Sequence, residues 1–174
     1  MSLARLAKVV LLAAVLGGGS APLLVRAARS APVESPTERA LAWAASGPSN
    51  PATEEGSWHL YCLAFVAKAY REAGVRDEEL EPRSARESFD AFARTSVVHD
   101  PAREPPPRGA VVFWDWVARG VDYGHVAIAN GDGTCATTCA PGKGDGAGTI
   151  QTRCPLAAFA HLHALGWIDP VTRK

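Results

Sequence analysis

The chain has 174 residues, 18 basic and 18 acidic, and a formal net charge of zero. That length fits one domain, and a domain of this size can bury a core without disulfides. Zero net charge and the lack of a basic run exclude the electrostatic footprint of a nucleic-acid binder.

Residues 1–27 read as an export signal. MSLARLAK carries two basic residues and no acid, VVLLAAVLGGGSAPLLV is apolar, and VRAARSA supplies small residues. These are the n-region, the h-region and the cleavage site of a secretory signal. Val25-Arg26-Ala27 fits the cleavage rule, with a cut after Ala21 as the alternative. The glycines and Pro22 interrupt the ~20 apolar residues that a spanning helix needs, so no stable membrane span is expected after processing. The expected location is secreted, periplasmic or associated with the cell wall.

Residues 28–34 follow as a linker, and residues 35–174 as the domain. Ser35-Pro36-Thr37-Glu38 is a capping box with proline at the first helical position, which predicts a short helix ending before Gly47-Pro48. SNPATEEG is a loop. Ser57 is the expected cap of a second helix, in which Trp58, Cys62, Phe65, Val66, Ala69 and Ala73 share one face and Gly74 stops the run. A second capping box, Ser84 to Glu87, opens a helix with Phe89 and Phe92.

HDPAREPPPRG reads as a proline-rich connector without a binding role. Beyond it the period changes to that of strands: GAVVFWDWV, YGHVAIAN closed by the turn GDG, TCATTC, TIQTRC after the loop PGKGDGAG, and a final LGWID. LAAFAHLHA is expected as a short helix, and Asp115 and Asp122 as loop or surface residues. Helices followed by an antiparallel meander predict an α+β domain.

Two residues stand out chemically. Cys62 sits early in its helix, where backbone N–H groups favour a thiolate and can hold an oxyanion. His125 interrupts an apolar strand, where an imidazole needs a partner or a purpose. Each has a bland explanation alone, a small buried thiol or a satisfied core histidine. Together, a helix cysteine and a later strand histidine are what nucleophilic thiol catalysis requires.

These segments carry a resemblance. YCLAFVAKAYREAG resembles the cysteine helix of the NlpC-type cell-wall cysteine peptidases, PPPRGAVVFWDW their proline, glycine and aromatic strand segment, and GHVAIANGDG their histidine strand and turn. The trio covers roughly residues 56–140 in the right order. It implies a papain-like fold, with N-terminal helices packed on a small antiparallel sheet, and cleavage of amide bonds in peptidoglycan stem peptides. CHAP-like amidases are relatives, and acyltransferases share the fold. The resemblance implies Cys62 as nucleophile, His125 as base and a third polar residue on the next strand, nearest Thr137, with Thr138 and Asn130 as alternatives. The family usually has an aspartate before the cysteine and small residues after it, whereas this chain has Tyr61, Leu63 and Ala64. A non-catalytic wall-binding domain on the same scaffold is therefore the rival reading, and an acyltransferase with the same dyad a third. No cofactor or metal is implied. Peptidoglycan or a related amide is the expected partner.

Trp58, Trp114, Trp116 and Trp167 with Tyr61 and Tyr123 are candidates to line a sugar or peptide groove, with Trp58, Tyr61 and Tyr123 the favoured substrate contacts, although such aromatics are more often core. Trp114 and Trp116 share a face if their strand is continuous. Among the cysteines, Cys139 with Cys154 is the favoured disulfide. It would close a loop of ~15 residues, worth ~3 kcal/mol in the chain-entropy account. Cys135 with Cys139 needs a bend. A zinc site from these cysteines with His161 and His163 matches no compact ligand spacing.

Overall fold

A computed structural model describes residues 34–138 and 149–172. The expected signal and most of the linker lie outside these residues, as does the glycine-rich segment beginning at Cys139. Ser35 starts the first helix as its box predicts: its Oγ accepts the Glu38 N–H at 3.2 Å, and α1 runs Pro36–Ala45. The Glu38 carboxylate does not return the bond. It accepts from both Arg108 Nε and Arg108 Nη2 at 2.7 Å, which clamps α1 to the end of the proline-rich segment. That segment is thus a fixed strap.

The second helix, α2 (Cys62–Glu72), begins at the cysteine and not just after Ser57. Ser57 Oγ caps only a local turn, accepting the His59 N–H at 3.2 Å. Leu60 within that turn takes φ 60°, a left-handed conformation that a bulky residue adopts only under constraint. Phe65 of α2 packs on Trp43 and Trp58, with ring centroids 5.6 and 5.5 Å away. The Tyr70 hydroxyl donates to the Gly109 carbonyl, pinning α2 to the entry of the sheet. A 3₁₀ turn over Glu78–Leu80 leads to α3 (Ala85–Thr95). Ser84 Oγ accepts the Glu87 N–H at 3.1 Å, while Glu87 reaches the Arg83 N–H at 3.0 Å, one residue before the cap.

Among the described residues seven strands follow: β1 (Val111–Trp114), β2 (Val117–Ala118), β3 (Val121–Asp122), β4 (His125–Ala129), β5 (Thr134–Thr137), β6 (Gln151–Pro155) and β7 (Ala164–Ile168). Five form an antiparallel sheet in the order β6-β5-β4-β1-β7, and β2 with β3 makes a separate hairpin. The architecture is α+β, three helices against an antiparallel sheet.

GAVVFWDWV was expected as one strand but breaks after Trp114, and two carboxylates explain why. Asp115 accepts the His163 N–H at 2.7 Å. Asp122 Oδ1 accepts the N–H groups of Trp116 and Gly124, both at 2.9 Å. These side chains take backbone donors that a continuing ladder would use, so neither aspartate is a plain loop residue. Trp116 accordingly lies outside β1, not on one strand with Trp114. LAAFAHLHA shortens to a single 3₁₀ turn, Leu156–Phe159, because the chain must extend again into β7.

The two-residue period of the strands sorts the core into two layers. Val111, Phe113, Val126, Ile128 and Ile168 lie with the helices; Val112, Trp114, Ala127, Cys135 and Trp167 lie with Phe159 on the other side. His99 stacks on Trp167 at 4.0 Å, and the Glu104 carbonyl accepts from Trp167 Nε1 at 2.8 Å, so the strap covers part of that second layer.

Phe113 is fully buried, with Phe89 and Phe92 of α3 at 5.7 and 5.9 Å. Phe113→Ala is expected to lower unfolding free energy by about 3–5 kcal/mol. Urea denaturation reads it, and a loss under about 1 kcal/mol would show that α3 does not depend on this contact.

Candidate active site

Cys62 is the first residue of α2, so the first-turn N–H groups of that helix surround it. Tyr61 at the N-cap makes no side-chain capping hydrogen bond, and the first turn carries no acid. The positive end of the helix is therefore left unneutralised by its own residues. Cys62 and Leu63 line a cleft of about 850 Å³, together with Trp58, Tyr61, Trp116 and Tyr123.

His125 is the first residue of β4, and α2 packs on β4. The imidazole is 2% exposed. Phe159 stacks on it at 5.0 Å, Trp114 lies tilted at 6.0 Å, and Trp116 meets it edge-on at 6.1 Å. Trp116, whose ring meets His125, and Gly124 line the cleft, whereas His125 does not; its ring lies with Trp114 and Phe159 in the second layer of the core. Burial holds its pKa down at about 4, so the ring is neutral at pH 7.

Thr137, the last residue of β5, is fully buried, and its Oγ1 lies 3.1 Å from His125 Nε2. The same Oγ1 lies 3.1 Å from the carbonyl oxygens of Val126 and Thr138. The single hydroxyl proton has three possible acceptors, the two carbonyls and Nε2, so the tautomer of His125 decides the direction of the contact; with Nε2 protonated, the hydroxyl accepts from Nε2–H and the Nδ1 lone pair is the basic position of the ring. Neither alternative for the third position is seen in this contact. Asn130 Nδ2 donates to Thr134 Oγ1 at 2.8 Å and to the Thr152 carbonyl at 2.9 Å.

Of the three candidate substrate contacts, Tyr61 and Tyr123 are exposed at the cleft, whereas Trp58 is 2% exposed and donates from Nε1 to the Pro48 carbonyl at 2.7 Å. Trp58 is thus chiefly a core residue with one edge in the wall. Cys139 lies outside the described residues; Cys154 is a buried thiol whose cross-strand neighbour is Cys135.

Sequence reasoning missed two parts of this site and misplaced a third. Trp116 was a candidate groove aromatic but was read as a strand residue, and Phe159 was read as part of a short helix. Asp122 was missed as the hub that orders the approach to His125: besides its two backbone donors, it pairs with Arg86 at 3.0 Å. An aspartate two residues before a glycine is the available signal for such a turn. Gly124 itself has φ +66°, and an added Cβ would stand 2.6 Å from the Arg86 nitrogen. Only glycine lets β4 begin this close to α3.

A comparison with curated proteins found no match. The CHAP domain matches residues 51–139, just over half of the chain, from the loop before α2 to the end of β5. That domain is a cysteine- and histidine-dependent amidohydrolase or peptidase module related to the NlpC-type papain-like hydrolases, with peptidoglycan-type substrates. This chain belongs to the CHAP domain family.

Proposed function

We propose that this protein is an exported cysteine hydrolase that cleaves amide bonds in peptidoglycan stem peptides, with Cys62 as nucleophile, His125 as general base and Thr137 as the residue that orients it. The observation that carries the reading is the buried Thr137–His125 contact on β5 and β4, beside a helix whose uncapped N-terminus begins at Cys62.

The chemistry follows from those groups. Neutral His125 takes the thiol proton on Nδ1, and the sulfur attacks the amide carbonyl carbon. The first-turn N–H groups of α2 hold the oxyanion of the tetrahedral intermediate. The imidazolium gives its proton to the leaving amine, and a thioester remains on Cys62. Water, deprotonated by the same imidazole, releases the acid and restores the thiol. Because burial depresses the pKa of His125, proton transfer during attack is favoured over a resting thiolate–imidazolium pair.

Cys62→Ser and His125→Ala should each abolish release of fragments from purified sacculi, a loss of at least about 100-fold. Unchanged turnover in either variant ends the reading. Thr137→Val should lower kcat by about 10- to 100-fold with little change in KM, because it frees the ring to turn and does not touch the substrate.

The depressed pKa also sets two pH limits. The acid limb of kcat/KM should fall near pH 4, where the ring becomes charged, and not near 6.5. Stability has the matching sign. Between about pH 6.5 and 4 the unfolded chain binds a proton at this site that the folded chain refuses, so the contribution is complete above 6.5 and lost as pH falls through that window. Denaturation from pH 7 to 4 should show an acid-induced loss on the order of 3 kcal/mol that His125→Gln lacks.

A further inference from the structure

The chain is neutral overall, but its cleft is not. Lys68, Arg71, Arg83 and Arg119 line it, against a single acid, Glu81. Arg71 pairs with Glu81, and Lys68 pairs with Glu72 at 2.9 Å. Arg83 and Arg119 are exposed and form no ion pair among the described residues.

Arg119 is also out of place by backbone criteria. It sits at φ +52° and is followed by Gly120 at φ +77°, the two-residue turn between Ala118 and Val121. Both central residues of such a turn are left-handed, and asparagine or glycine normally fills the first. An arginine there costs roughly 1–2 kcal/mol, with no ion pair among the described residues that offsets it. The hairpin is also held firmly. Its Asp122 pairs with Arg86, and the Arg86 N–H donates to the Tyr123 carbonyl at 3.0 Å, which docks the hairpin on the start of α3, one turn from Arg83.

We propose that Arg119 and Arg83 form a carboxylate-binding subsite of the cleft, so that the preferred substrate is a peptide carrying a free carboxylate near the scissile amide. The proposal rests on the hydrolase reading above and specifies its substrate class. A guanidinium presents paired donors that match a carboxylate, and a strained turn that fixes where one of them stands lowers the cost of ordering it on binding.

Binding can be separated from cleavage on the Cys62→Ala variant by calorimetry, using L-alanyl-γ-D-glutamyl-L-lysyl-D-alanine and its counterpart with the carboxylates converted to carboxamides. The free-acid peptide should bind about 10-fold more tightly, with the preference falling as salt rises. Arg83→Gln and Arg119→Asn should each reduce the preference by about 3- to 10-fold, and the double variant should abolish it. Asparagine suits the turn, so Arg119→Asn should keep or raise Tm, which distinguishes lost recognition from a damaged fold. Equal affinity for the two peptides, no affinity for either, or a full preference in Arg119→Asn would overturn the subsite. Absence of cleavage by the unmodified protein, with the binding preference intact, would instead count against the hydrolase reading.

The strand register carries a second inference on its own. Cys135 and Cys154 are direct cross-strand partners on β5 and β6, and both are buried. We infer that these two cysteines form a disulfide by exchange with a disulfide oxidant, ahead of the Cys139–Cys154 pairing. Each protein sulfur loses a proton and the pair gives up two electrons, while the oxidant leaves as two thiols. Peptide mapping without reductant, after exposure to glutathione disulfide, should recover Cys135 linked to Cys154. Recovery of Cys139 linked to either residue, or of free Cys135 and Cys154, refutes it.

Discussion

The contact between Thr137 and His125 is the constraint on which the rest of the site depends. A histidine ring has two nitrogens and can turn about its side-chain bonds, so an unrestrained imidazole presents no defined base. Here Nε2 stands 3.1 Å from a hydroxyl that also reaches two backbone carbonyls, which holds that edge of the ring in place. Threonine carries no charge, so it fixes the ring without raising its basicity as a carboxylate would. Burial then pushes in the same direction, toward a neutral ring. Phe159, Trp114 and Trp116 complete the setting by surrounding the imidazole with aromatic surface that excludes water.

That arrangement is assembled from both layers of the fold. The helices bring the thiol: α1 is clamped by Arg108, α2 is pinned through Tyr70, and α3 packs on Phe113. The strands bring the imidazole and its hydroxyl partner. Between them, Asp122 interrupts the ladder, turns the chain through Gly124 and allows β4 to start with His125. A single carboxylate thus ends one strand, orders the hairpin above the cleft and sets the beginning of the next strand.

Much of this was legible in the sequence because it rests on local chemistry. Ser35 and Ser84 announce their helices through short-range hydrogen bonds, and short runs rich in β-branched and aromatic residues between turn signals point to β1, β4, β5, β6 and β7. Thr137 was nominated by counting from the histidine strand to the position where the resembling family carries a third polar residue, and the structure sets its hydroxyl 3.1 Å from His125 Nε2. The start of α2 was not legible. Ser57 offers a plausible cap, and nothing nearby in sequence says that Leu60 will take a left-handed turn and delay the helix to Cys62. The split of GAVVFWDWV was hidden for a different reason. It depends on Asp115 finding His163 and on Asp122 closing a turn, and the first of these partners lies far along the chain. Phe159 was hidden likewise, since its stacking on His125 exists only once β7 has returned to the sheet.

The division of the site between α2 and the β4–β5 pair has one more consequence. A thiol at the head of a helix is a short-range feature that can form while the C-terminal part of the chain is still unstructured. The ring that would activate it is set only after distant strands have joined and water has left their interior. On the proposed mechanism, an immature molecule would carry its sulfur without a base, and competence would arrive only as the last long-range contacts close.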